Sequence, residues 1–66
     1  MQININGKNM NIGERCTLSV LTKSKGLNKD AIVIEHNGEI VSKDKWFETY
    51  INNDDTIEIV NYVGGG

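Results

Sequence analysis

The sequence predicts an α+β fold, with one main helix packed on one face of a mixed or antiparallel sheet of four to five strands. Three observations carry that expectation. Apolar and polar residues alternate near both ends of the chain, the period of a half-buried strand. Two Asn-Gly pairs, Asn6-Gly7 and Asn37-Gly38, are flanked by β-type residues and read as hairpin turns. Only the stretch TLSVLTKSKGL, lying between them, has clear helical spacing and helical punctuation.

In chain order, MQININ sets Met1, Ile3 and Ile5 on one side of a first strand, with Gln2, Asn4 and Asn6 on the other. Met10 and Ile12 mark a short second strand, and Gly13 to Arg15 is a connection. Thr17 is placed to cap the helix, and Leu18 and Leu21 share its apolar face with Val20 nearby. Lys23 and Lys25 fall in the last turns, where the helix dipole favours cations. Gly26 fits the left-handed position after the helix, and Leu27 can fold back onto Leu21. AIVIEH and EIV read as a strand and its short return. In SKDKWFETY, Ser42 can cap a turn, and Trp46, Phe47 and Tyr50 are expected to plug the core from a short helical or irregular piece. Asn52 to Asp55 is a polar turn. TIEIV is the final strand, with Ile57 and Ile59 assigned to the core and Val60 and Tyr62 to the open face.

A chain of 66 residues makes one domain. Domains of this size bury only roughly 60% of their unfolded surface. Cys16 is the single cysteine and His36 the single histidine, which excludes an internal disulfide and a Cys/His zinc cluster. Apolar residues, 38% of the chain, must therefore hold the fold. Net charge is −2, and the loose run Lys23, Lys25, Lys29 has no interleaved aromatics, so it reads as a solvated helix end rather than a nucleic-acid surface. The first residues lack the basic start and apolar core of a secretion signal, and no apolar run approaches membrane-spanning length. The expectation is a soluble, cytoplasmic protein with no membrane or nucleic-acid partner and no bound metal or cofactor.

Groups fit for catalysis are few. Cys16 precedes the helix cap, where the helix N-terminus can lower a thiol pKa, but it reads better as a small residue at a junction. His36 adjoins a turn and reads as a solvated side chain. Glu35 and Glu39 bracket that turn as exposed hairpin charges. Asp54 and Asp55 read as turn residues, with too few oxygen donors beside them for calcium. No catalytic residue is assigned.

The tail is the remaining feature. Residues 1–62 are expected to form the domain and residues 63–66 a flexible glycine tail. Glycine loses the most conformational freedom on ordering and has no Cβ. Gly64, Gly65 and Gly66 suit either a frayed end or a thread that carries a carboxylate through a narrow channel. Three extended residues reach roughly 10 Å.

The opening MQININGK, the stretch TLSVLTKSKGL, the block IEHNGEIVSKDKW and the ending IEIVNYVGGG together resemble the thiamin-biosynthesis branch (ThiS) of the ubiquitin-like, β-grasp sulfur carriers. The likeness spans essentially the whole chain. It implies a β-grasp fold and a protein co-substrate rather than an enzyme. An E1-like adenylyltransferase (ThiF-like) would spend ATP with Mg²⁺ to adenylate the Gly66 carboxylate. Sulfur from a cysteine-desulfurase-derived persulfide donor would then make a thiocarboxylate on Gly66, for delivery to thiazole synthase (ThiG-like). Gly64 and Gly65 would thread the partners' active sites. Exposed apolar residues beside a functional tail suggest docking, which assigns partner contact to Val60, Tyr62 and Val63. The alternatives are a molybdopterin-synthase-type carrier, a ubiquitin-like protein modifier, and a binding module whose glycines are incidental.

Overall fold

The computed structural model describes residues 1–62; residues 63–66, and with them Val63 and the expected glycine tail, lie outside the described residues. Five strands form one mixed sheet: β1 (Gln2–Ile5), β2 (Lys8–Asn11), β3 (Ile32–His36), β4 (Glu39–Val41) and β5 (Thr56–Asn61). Their order is β2-β1-β5-β3-β4. The helix α1 (Leu18–Ser24) supplies the covering layer. The expected β-grasp architecture is therefore present, with the last strand to form in sequence lying at the centre of the sheet.

Both Asn-Gly turns are hairpins. Asn6 and Gly7 have φ of 50° and 83°, and Asn37 and Gly38 have φ of 52° and 88°. Positive φ at both central residues is the requirement of a type I′ turn, whose twist matches that of the strands. β1 pairs β2 antiparallel, Ile5 opposite Lys8, and β3 pairs β4 antiparallel, His36 opposite Glu39. β5 runs parallel to β1 and antiparallel to β3, with Ile5 opposite Ile57 and Val33 opposite Val60.

The helix begins and ends as its sequence predicts. The Thr17 hydroxyl accepts from the Val20 amide at 3.2 Å. At the other end the Leu27 amide donates to Thr22 O and the Gly26 amide to Lys23 O, each at 3.0 Å, with Gly26 at φ 68°. That pair of bonds is the Schellman ending, and Leu27 packs against the core. Leu18, Leu21 and Thr22 form the buried stripe. Val20 is exposed instead of sharing it, because at about 100° per residue it falls nearly opposite the middle of that stripe.

The core is Ile3, Ile5, Leu18, Leu21, Ile32, Ile34, Trp46, Ile51 and Ile57. Ile59 packs at its margin, half-buried. The expected aromatic plug is corrected: Trp46 is buried, but Phe47 is 68% exposed and Tyr50 48% exposed. The segment Lys43–Glu48 is a 3₁₀ helix, where three residues make a turn. Phe47 therefore lies about 120° round from Trp46, and Tyr50 lies beyond the helix, in a lone bridge with Thr17. Ile51 fills the core in their stead, fully buried. Its position is fixed by backbone bonds from Ile51 N to Cys16 O (2.9 Å) and from Leu18 N to Thr49 O (3.0 Å). Trp46 Nε1 donates to Val41 O at 2.9 Å, so the indole is satisfied and the end of β4 is held.

Candidate functional site at the exit of the last strand

β1 stops after Ile5 because the chain turns at Asn6-Gly7, yet β5 continues to Asn61. The backbone ladder between them ends with Asn6 N donating to Ile57 O at 2.9 Å. The Asn6 side chain then takes over. Its Oδ1 accepts from Ile59 N at 2.7 Å, and its Nδ2 donates to Ile59 O at 3.2 Å. One carboxamide thus supplies the donor and acceptor that another strand residue would have supplied.

On the opposite edge, β3 pairs with β5 as far as Ile32 opposite Asn61. Beyond it the Tyr62 amide donates to Ala31 O at 3.0 Å, and the Tyr62 hydroxyl donates to Asp30 O at 3.1 Å. Asp30 belongs to a short 3₁₀ turn, Lys29–Ala31, which the Asn28 side chain caps. Lys43 Nζ lies 2.9 Å from Asp30 Oδ1. Hydrogen bonding and charge from Lys43 lower the Asp30 pKa, and the same partner raises that of Lys43. The strand exit is thus tied on the β1 edge as far as Ile59, through Asn6, and on the β3 side as far as Tyr62, the last described residue. Val60 (53% exposed) and Tyr62 (56% exposed) present apolar surface there, as expected of the open face. The Tyr62 hydroxyl bond is an addition that its sequence position did not disclose.

The other candidates resolve differently. Cys16 is half-buried against the core, and burial pushes its thiol pKa up, away from nucleophilic behaviour. His36 is corrected: it is not a solvated side chain. Its Nε2 lies 2.7 Å from Asp55 Oδ2, and both side chains are largely buried. Asp55 also accepts from Asn52 N at 2.7 Å and from Asn37 Nδ2 at 3.0 Å. Burial alone would raise the Asp55 pKa, but the bonds from Asn52, Asn37 and His36 outweigh it and hold the carboxyl below its ordinary value. Asp55 is therefore more than a turn residue, since it locks the start of β5. Glu35 pairs with Ile40, and Glu39 with His36, so the two glutamates lie on opposite faces of their hairpin and form no carboxylate pair. Among the described residues no group of three or more His, Cys, Asp or Glu side chains is arranged to hold a metal ion. No helix among them is long and apolar enough to cross a membrane.

The sequence matches the ThiS family over residues 3–66. The chain belongs to the ThiS family. Among its relatives, the sulfur carrier protein ThiS of Bacillus subtilis is 38% identical over 50 residues, covering 76% of this chain and 76% of that protein. A thiazole synthase of Paramagnetospirillum magneticum is 33% identical over the whole of this chain, which spans only 20% of that protein. In three dimensions this ThiS-family fold superposes on the crystal structure of the thiamine biosynthesis protein ThiS from Geobacter metallireducens with a TM-score of 0.86, each chain covered completely at 23% identity.

Proposed function

We propose that this chain is a sulfur carrier for thiazole formation in thiamin biosynthesis, with Gly66 as the group that is activated and loaded. The observation that carries the reading is the family match itself, which runs through the glycines to residue 66. The strand exit supports it. A rigid body that ends in a well-tied strand can present a short thread without giving up its own fold.

The chemistry is that of a carboxylate made electrophilic. In the activating partner, an E1-like adenylyltransferase, a Gly66 carboxylate oxygen attacks the α-phosphorus of ATP and pyrophosphate leaves, with Mg²⁺ balancing the phosphate charge. A persulfide sulfur attacks the acyl carbon and AMP leaves. A thiol then cleaves the sulfur–sulfur bond, leaving the thiocarboxylate on Gly66 and a disulfide on the donor side. Thiazole synthase consumes that sulfur. Kinship with a thiazole synthase that contains a domain like this chain supports that acceptor over a molybdopterin-type one. Gly64 and Gly65 thread the partners' channels, and Val60, Tyr62 and Val63 make the docking contact. The carrier binds no cofactor and supplies no catalytic side chain of its own. The compartment we propose for it is the cytoplasm.

The deciding experiment is tandem mass spectrometry of the C-terminal peptide after incubation with the activating enzyme, Mg-ATP and a persulfide donor. Fragment ions should place the sulfur on Gly66, and omission of ATP should abolish it. An unmodified Gly66, under conditions that load a known carrier, would refute the proposal. A Tyr62→Asp variant should stay folded by circular dichroism and be adenylated more slowly.

A further inference from the structure

We propose that Asn6 is a positioning residue for the tail: its side chain fixes the point at which the chain leaves the fold, and so governs the rate at which Gly66 is activated. This rests on the reading of Gly66 as the reacting terminus. Asn6 lies 53 residues from Ile59 in sequence, yet its carboxamide bonds both the N–H and the C=O of that residue. From Ile59 to Asn61 no β1 backbone remains to pair with β5, because the registered pairs end at Ile5 opposite Ile57. On that edge the strand end depends on this one side chain. The residue type is specific to the task. Asparagine tolerates the positive φ of the turn and carries a donor and an acceptor side by side. Aspartate would keep the acceptor for Ile59 N–H and set a negative oxygen against Ile59 C=O.

The consequence follows from chain length. Four residues, 63–66, follow Tyr62, and fully extended they reach roughly 13–14 Å. Without the Asn6 bonds, residues 59–62 are held on the β3 edge alone, through Val33 opposite Val60, Ile32 opposite Asn61 and the Tyr62 amide on Ala31 O; when that edge opens too, the tether lengthens from four residues to eight, 59–66. The effective concentration of a tethered group falls as about the −3/2 power of tether length, so doubling the tether lowers it about threefold. The same opening carries Val60 and Tyr62, the docking residues proposed above, off the sheet, so partner binding weakens as well.

The test compares Asn6→Gly, Asn6→Asp and Asn4→Ala in the full chain, with the activating enzyme and Mg-ATP, following pyrophosphate release. Asn4 Oδ1 accepts from Gly7 N at 3.0 Å, so its removal perturbs the same turn without touching β5. Asn6→Gly retains the turn's backbone freedom. The expected result is a kcat about threefold lower and a raised KM for both Asn6 variants, with faster amide exchange at Ile59 and Ile34 exchange unaltered; Asn4→Ala should keep the wild-type kcat and KM. Wild-type kcat in Asn6→Gly, or an equal loss in Asn4→Ala, would overturn the assignment. So would unfolding of both Asn6 variants, which would make the residue structural. No pyrophosphate release from the wild-type chain would instead refute the carrier reading.

Discussion

The two Asn-Gly hairpins begin from the same local chemistry and finish with different duties. Each adopts the same positive-φ turn, and each asparagine turns its side chain onto the central strand β5. Asn37 Oδ1 accepts from Thr56 N at 2.9 Å, at the start of that strand, and its Nδ2 joins the Asp55 network with His36. Asn6 grips Ile59, near the exit, in an exposed setting. The second hairpin is further secured by the Trp46 indole on Val41. β2 of the first is exposed along its whole length. One hairpin closes the fold, and the other steadies the end from which the tail departs. A polar clamp stabilises more where water cannot replace it, and an exposed clamp is free to serve geometry instead.

The comparison can be broken most severely at Asp55. Asp55→Ala leaves the Asn52 amide, the Asn37 carboxamide and His36 without their shared acceptor. It should cost about 3 kcal/mol in urea unfolding, the scale for a buried charged acceptor with several donors. The same carboxylate sets an acid limit. Its folded pKa is depressed, so its contribution is fully present above the unfolded value of about 3.9 and is lost as pH falls through the folded value. Urea midpoints taken at decreasing pH should fall for the wild type and stay flatter for Asp55→Asn.

A smaller effect is expected at Trp46. Trp46→Phe keeps a ring in the core but strands Val41 O, at about 1–2 kcal/mol. Smaller still is the loss from Asn37→Gly, about 1 kcal/mol, because the turn survives and only the bonds to Thr56 and Asp55 disappear. Asn6→Gly should cost about 0.5 kcal/mol, since water reaches the groups it leaves. If thermal melts show Asn6→Gly to be the more destabilising of the two glycine variants, the division of duties between the hairpins is wrong.

Much of the fold is legible in the sequence, because its determinants are local. Asn6-Gly7 and Asn37-Gly38 dictate turns through backbone sterics alone. Thr17 and Gly26 bracket the helix through groups within a turn of themselves, and the alternation in MQININ and TIEIV shows which side of each strand is apolar. The expected aromatic plug, on a short helical or irregular piece, is only partly present because the period of that piece is not written in its sequence. In the 3₁₀ segment Trp46 turns inward while Phe47 does not, and nothing local tells one aromatic from the next. The burial of His36, expected to be solvated, and that of Ile51, for which the sequence offers no expectation, escape a local reading for a related reason: their surroundings come from residues far along the chain.

By itself, then, the sequence determined the elements, the hairpin turns, the helix ends and the glycine-rich terminus that points to a carrier. Tertiary structure alone decided that β5 sits at the centre of the sheet, that Asp55 gathers His36, Asn37 and Asn52, and that Asn6 and Tyr62 fasten the strand exit. Turn and cap preferences arise within a few residues and can be read in one dimension. A side chain that completes a ladder 53 residues away is specified only when the sheet brings the two together.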